Sequence, residues 1–255
     1  MNRGHSFRNQ LLQALSPEDI GVLAPQLNRV TLRPRQLLHV SRTPMERVYF
    51  IENALISVSG PSGQGKMVEA WLIGSEGMSG IPILLHDGEP PLQRVVQVGG
   101  EALEIRPDEL IVAMDACPGI RRILLRYVAF VLLQTVQTGI CNANHDVEQR
   151  LSRWLLVARD ALGEDRVPLT HRALARILGV RRASVTNCLG LLEKRGAIQV
   201  SRGVVVASDR HLLNEIACDC TRFIKREYQR LITQAGSKNE SKPVIAPAAS
   251  GTYGR

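Results

Sequence analysis

The sequence contains no run of eighteen uninterrupted apolar residues, the length a membrane-spanning helix needs. Its opening, MNRGHSFRNQLLQAL, has neither the long apolar core nor the small-residue cleavage site of a secretory leader. A soluble cytoplasmic protein with no membrane partner is therefore expected. Cysteine is sparse: Cys117, Cys141, Cys188, Cys218 and Cys220 are an odd set in a chain too large to need disulfides, which suits a reducing compartment. Histidine is sparse too, and none of the six lies in a nucleophile or metal-ligand motif. An enzyme built on Cys/His chemistry thus has little support. Acidic residues are almost missing from one stretch, Arg166 to Arg202, where Glu193 stands alone against eight Arg and Lys.

That stretch, RVPLTHRALARILGVRRASVTNCLGLLEKRGAIQVSR, carries nearly all of the chain's net charge of +8. Thr170 is placed as an N-cap, Leu174, Ile177 and Leu178 form one helical stripe, and Gly179 ends it. After Val180-Arg181, the positions Val185, Cys188, Leu189 and Leu192 recur at i, i+3, i+4 and i+7 and stop at Gly196. Two short helices joined by a Gly-containing turn, with small Ala175 where they must approach, form a helix-turn-helix pattern. A basic patch of this density is what counterion release from DNA requires.

With one face of the second helix buried, the other presents Arg182, Ala183, Thr186, Asn187 and Gly190. Arg forks onto guanine O6 and N7, Asn onto adenine N6 and N7, and an Ala or Thr methyl touches the thymine methyl. Arg182, Ala183, Thr186 and Asn187 are the candidate base contacts. Thr170, His171, Arg181, Ser184, Lys194 and Arg202 are candidate phosphate contacts, which position without specifying. Ala197 to Val200, a Ser-Arg-Gly turn and Val204 to Ala207 read as a β-hairpin wing. Cys188 points inward as a structural thiol rather than a sensor.

The run LTHRALARILGVRRASVTNCLGLLEKRGAI resembles the winged-helix domain of the Crp/Fnr family of bacterial transcription regulators. The resemblance implies a recognition helix with an Arg, a Glu two residues before a Val, and a polar or basic residue two beyond it. Arg182 and Asn187 fit, whereas Ala183 stands where the Glu would be. Direct cytosine reading by that acid is not implied here, and the operator need not be the family's familiar one.

Upstream, residues 6–25 hold two short helical patterns, the second capped by Ser16 with Pro17 at its first position. From Val30 to Ile105 come short β-prone runs, VTLRPRQLLHV, RVYFIENALISVS, KMVEAWLI and LQRVVQVGGEALEI, broken by turn residues. They suggest an antiparallel sandwich or barrel and resemble the double-stranded β-roll sensor of the same family, similar to cyclic-nucleotide-binding domains. Ala54 replaces the Gly usual after Val48 to Ile51, and Asn53 is expected to supply the left-handed residue there.

The resemblance implies a phosphate cassette of a Gly-Glu pair followed later by Arg-Ser or Arg-Thr. Here the stretch reads Gly77-Met-Ser-Gly-Ile-Pro-Ile83, the later pair is Leu92-Gln93, and Arg94 is displaced. Binding of cyclic AMP is not expected, and Arg94 reads as a solvated strand residue, with an anion ligand as the alternative. An Fnr-type iron–sulfur cluster is excluded because no Cys precedes position 117. Cys218-Asp-Cys220 near His211 suggests zinc or a redox pair. On a single helix, however, i and i+2 side chains diverge by roughly 200°, so two unrelated thiols and no metal are expected.

Residues from Asp108 to about Ala116 form a short helix, and Pro118 opens a long one that is apolar on nearly every face from Ile123 to Leu133. One side should pack on the roll and the other on the same helix of a second subunit. Ile123, Leu124, Leu125, Val128, Val131, Leu132 and Val136 are the candidate dimer interface. Asn142 to His145 is a candidate hinge, Val147 to Leu162 an amphipathic helix under the DNA-binding unit, and Asp209 to Ile232 a last helix. The tail from Gly236 lacks periodicity and is expected to be disordered.

The chain thus reads as α+β: a sensor roll with flanking helices at 1–116, a dimerisation helix and hinge at 117–144, a winged helix-turn-helix with a C-terminal helix at 145–235, and a tail at 236–255. The expected function is a homodimeric regulator reading palindromic double-stranded DNA under an unknown signal, with RNA polymerase as partner where the outcome is activation. No cofactor is identified. A non-specific architectural DNA-binding protein is the alternative, which the basic patch alone would satisfy.

Overall fold

The computed structural model describes residues 6–62 and 67–234; the tail expected to be disordered lies outside them. Two short helices, α1 (Gln10–Gln13) and α2 (Pro17–Leu23), lead into the strands. Ser16 Oγ accepts from the Asp19 amide at 3.1 Å, and Asn9 caps α1 while its Nδ2 donates to the carbonyls of Ile51 and Gly77.

Eight strands follow: β1 (Asn28–Leu32), β2 (Leu37–His39), β3 (Val48–Ile51), β4 (Leu55–Pro61), β5 (Met67–Ile73), β6 (Met78–Ser79), β7 (Gln93–Val98) and β8 (Gly100–Ile105), with the one-turn helix α3 (Ile81–Leu84) after β6. They form two antiparallel four-stranded sheets, ordered β1-β8-β3-β6 and β2-β7-β4-β5. Leu32, Ile51, Ile56, Val58, Ile73, Val96 and Ala102 fill the space between them. This is the expected roll.

Two local expectations about the roll are corrected. Asn53 is not left-handed; among the described residues only Arg35, Arg42 and His86 are non-glycine positions with positive φ. Asn53 serves its turn through its side chain, Oδ1 accepting from the Glu101 amide at 2.6 Å. Arg94 is not solvated either, being 2% exposed. Burial alternates along β7, so the period of two puts Arg94 on the inward face with Val96 and Val98.

The helix α4 (Pro107–Ala116) leads to α5 (Pro118–Asn144), 27 residues long. Among the described residues α5 alone is long and apolar enough to cross a membrane. One of its faces is accounted for by its own chain: Ile120, Ile123, Leu124, Tyr127, Val128 and Val131 pack against Phe50, Met78, Leu103 and Ile105 of the roll. The proposed interface therefore narrows. Ile123, Leu124, Val128 and Val131 are covered within one chain, whereas Leu125 (43% exposed), Leu132 (65%) and Val136 (64%) face outward. Ala129 and Ala143 are exposed on the same side, giving a 4-3-4 spacing from Leu125 to Val136.

After His145, α6 (Val147–Leu162) begins with Asp146 as N-cap, its carboxylate accepting from the Gln149 amide at 2.8 Å. There follow β9 (Arg166–Val167), α7 (His171–Leu178), α8 (Arg182–Lys194), β10 (Ile198–Ser201) and β11 (Val204–Ala207), with the small sheet ordered β10-β11-β9. The expected single last helix is instead two, α9 (Arg210–Ile216) and α10 (Cys220–Tyr228), the latter ending in a π turn at Gln229–Thr233. Ala217 is extended, with φ −65° and ψ 147°, which breaks the run. The reason is burial: α10 turns back so that Ile224, Tyr228 and Ile232 join the core of α5 and the roll. Tyr228 Oη donates to the Glu76 carbonyl at 2.8 Å, and its ring meets Phe130 edge-on at 4.9 Å.

Candidate nucleic-acid interface

The helix-turn-helix forms for the reasons its residues suggest. Thr170 Oγ1 accepts from the Ala173 amide at 3.2 Å and starts α7. Gly179, at φ 67°, ends it in the left-handed region, where a side chain would be strained. Leu174, Ala175, Ile177 and Leu178 from α7 pack with Val185, Leu189 and Leu192 from α8, over Leu151, Leu155 and Ala158 of α6. Burying those three α8 positions turns Arg182, Ala183, Thr186 and Asn187 to solvent on one face, with Arg181 just before it.

The eight basic residues between 166 and 202 are all exposed. Glu193, the lone acid there, does not neutralise the patch: its Oε1 accepts from the Val200 amide at 2.7 Å and anchors the wing strand to α8. Arg195 pairs instead with Glu148 of α6 at 3.0 Å. Arg202 occupies the exposed wing turn before Gly203, Lys194 closes α8, and Ser184 is half-buried. Cys188 is also half-buried rather than wholly enclosed; burial, with Glu148 and Asp146 nearby, pushes its thiol above the ordinary range. That keeps it protonated and unreactive.

One contact was not legible in the sequence. His171 Nδ1 lies 3.0 Å from Thr186 Oγ1, and Thr186 Oγ1 donates to the Arg182 carbonyl at 3.1 Å. With that proton committed, His171 must donate, so Thr186 has no donor left and offers a base edge its methyl and one acceptor lone pair. The neutral His171 ring then offers an acceptor at Nε2, the wrong polarity for a phosphate oxygen. Phosphate contact by His171 requires its protonated form.

Residues 149–216 match the family model of the Crp-like helix-turn-helix domain. The global nitrogen regulator of Nostoc sp. is 25% identical over 169 residues, covering 62% of this chain and 75% of that protein. The structure of FixK2 from Bradyrhizobium japonicum superposes with a TM-score of 0.65 at 15% identity, over 75% of this chain and 98% of that one. A crp/fnr-family transcriptional regulator from Eubacterium rectale gives 0.62 at 14% identity, over 83% and 97%. Residues 149–216 thus carry a Crp-like helix-turn-helix domain, and the chain as a whole shares the fold of Crp/Fnr regulators. These likenesses support a DNA-binding regulator, with a cyclic-nucleotide-binding-like roll ahead of the helix-turn-helix.

The stretch that corresponds to the cassette is filled by the chain itself. A Cβ at Gly77 would lie 1.9 Å from the Tyr127 hydroxyl, and one at Gly80 would lie 2.6 Å from Val48 Cγ1. These glycines admit close packing of α5 and β3. Arg94 Nη1 donates to the Leu92 carbonyl at 2.8 Å, and burial brings its guanidinium down to about 10 against the opposing pull of Asp87 and Tyr127. Beyond the roll lies a cavity of about 480 Å³ between β5, α5, α6 and α10, lined by Glu69, Trp71, Phe130, Arg153, Trp154 and Tyr228 among others. Glu69 Oε1 accepts from Trp154 Nε1 at 3.3 Å, joining roll to DNA-binding unit. Burial raises this carboxyl to about 7, partly countered by Ser57, Trp154 and Arg153.

Proposed function

We propose that this protein acts in the cytoplasm as a homodimeric Crp/Fnr-type regulator that reads an interrupted palindrome. Two copies of α8 enter successive major grooves about 34 Å apart. Its sensor answers a signal other than cyclic AMP, and where it activates, RNA polymerase is its partner. The observation carrying this reading is the single solvent face of α8, with Arg182, Ala183, Thr186 and Asn187 in line beside an exposed basic wing. The outward stripe of Leu125, Leu132 and Val136 supports the dimer.

Arg182 stands in the first turn of α8, where a forked donor can lie against one guanine, while Arg202 in the wing is placed for phosphate. Arg182→Ala is expected to cost about 1–3 kcal/mol on the preferred site and to relax base preference at one position. Arg202→Ala should weaken every sequence alike. The measurement is affinity at one salt concentration across single-base operator variants, after selection of the site from random DNA. A uniform loss for Arg182→Ala would make it a backbone contact and move reading to Asn187 and the Thr186 methyl. Failure of selection to enrich any sequence would favour the architectural alternative.

For the sensor, calorimetric titration with cyclic AMP is expected to show no micromolar binding. The cassette has no Glu, Gly77 is occupied by Tyr127, and Arg94 is bonded to Leu92. A phosphate there would lack its partner, at a cost of about 3–5 kcal/mol. Micromolar affinity would overturn this part of the reading.

A further inference from the structure

The break between α9 and α10 gathers four side chains that no single stretch of sequence joins. Cys141 and His145 stand one helical turn apart at the C-terminal end of α5, so they project on one side. Cys218 lies in the α9–α10 link and Cys220 opens α10, and because the link is extended at Ala217 the two thiols need not diverge as they would on one helix. The partner histidine is therefore His145, not His211, which is exposed and lies 3.4 Å from Glu215.

The sulfurs of Cys141 and Cys218 are 3.5 Å apart, and Cys220 Sγ is 3.7 Å from His145 Nδ1. All four ligand atoms lie within 4.8 Å of one another. A tetrahedral zinc with Zn–S near 2.3 Å and Zn–N near 2.0 Å has ligand-to-ligand edges of roughly 3.5–3.8 Å. The observed edges of 3.5 and 3.7 Å match a single ion. An iron–sulfur cluster would need its ligand sulfurs spread around several irons. The three thiols are buried and form a cluster of their own, apart from the apolar cores. Gln137 Nε2 donates to Cys220 Sγ at 3.1 Å, the kind of outer contact that orients a metal-bound sulfur.

We propose that Cys141, His145, Cys218 and Cys220 form a structural site for one thiophilic divalent cation, zinc by its chemistry. On binding, each thiol releases its proton to solvent and each sulfur, with one imidazole nitrogen, donates a lone pair to the ion; no electrons change owner. Three thiolates on a dication leave one negative charge, and the positive charge of Arg153 acts on Cys141 from nearby. Four protein ligands close the coordination sphere, so the ion holds structure rather than reacting. What it holds is the junction: it bolts the end of α5 to the α9–α10 link across the point where α5 gives way to α6.

The test is the metal content of full-length protein purified under reducing conditions from zinc-replete cells, with no reference to DNA binding. About one zinc per chain is expected. Cys141→Ser and Cys218→Ser should lose it, and Cys188→Ser should keep it. Cobalt(II) loaded into the unmodified protein should give the visible absorption of a tetrahedral thiolate site, shifted but retained in His145→Cys, which reads the site without depending on a variant that fails to fold. Removing zinc by chelation should make the His145–Asp146 junction sensitive to protease. The proposal is overturned by protein without zinc and without that cobalt spectrum. It is equally overturned by zinc that survives loss of both Cys141 and Cys218, by bound iron in place of zinc, or by a Cys141–Cys218 disulfide in protein kept from air.

Discussion

Leu132→Glu is expected to turn the proposed dimer into a monomer and to lower affinity for a two-half-site operator by roughly 10²–10⁴-fold, the gain that linking two binding events confers. Leu132 is 65% exposed on the outer stripe of α5, so in the isolated chain a carboxylate there meets only water and folding is unaffected. In a seam between two copies of α5 the same charge would be buried without a partner. Sedimentation should show a folded monomer whose thermal unfolding no longer depends on protein concentration, and affinity for a single half-site should stay as it was. Val128→Glu does not test this, because Val128 is 9% exposed and packs on the roll, so its charge would unfold the chain that carries it. A dimer that persists in both Leu132→Glu and Val136→Glu places the interface elsewhere.

Tyr127→Ala is expected to destabilise the protein by about 3–5 kcal/mol, as aromatic truncations in a core do. Tyr127 is 1% exposed, and its ring lies 6.2 Å from that of Phe130. Its hydroxyl fills the space left by the missing side chain of Gly77 and is hydrogen-bonded by the backbone of Met78. Truncation leaves a cavity between α5 and the roll. Tyr127→Phe keeps the ring and should cost only about 1–3 kcal/mol. Gly77→Ala should approach the larger value, since its new methyl must displace the Tyr127 hydroxyl. Urea denaturation with unchanged dependence on denaturant reads all three. If Tyr127→Ala unfolds at the same midpoint, α5 does not pack on the roll as described.

Local patterns sufficed wherever a residue's fate depends on its neighbours in sequence. The period from Val185 to Leu192 sets the buried face of α8, and with it which side chains remain for DNA. Thr170, Gly179 and Gly196 mark the ends of the two helices. Alternation and turn residues mark the strands of the roll, and the same alternation through Val96 and Val98 already aims Arg94 inward, although its charge argues for solvent. What needed the tertiary structure depends on surfaces distant in the chain. An all-round apolar α5 does not say which half the roll takes and which half remains, so Val128 and Leu132 look alike until they are packed. An amphipathic run from Asp209 to Ile232 does not reveal a break at Ala217, because the gain comes from Tyr228 and Ile232 reaching a core built by residues about a hundred positions earlier. That same break sets Cys218 and Cys220 beside Cys141 and His145. Cys141 and Cys218 stand 77 positions apart in sequence, and only the folding-back of α10 onto α5 brings their sulfurs to 3.5 Å.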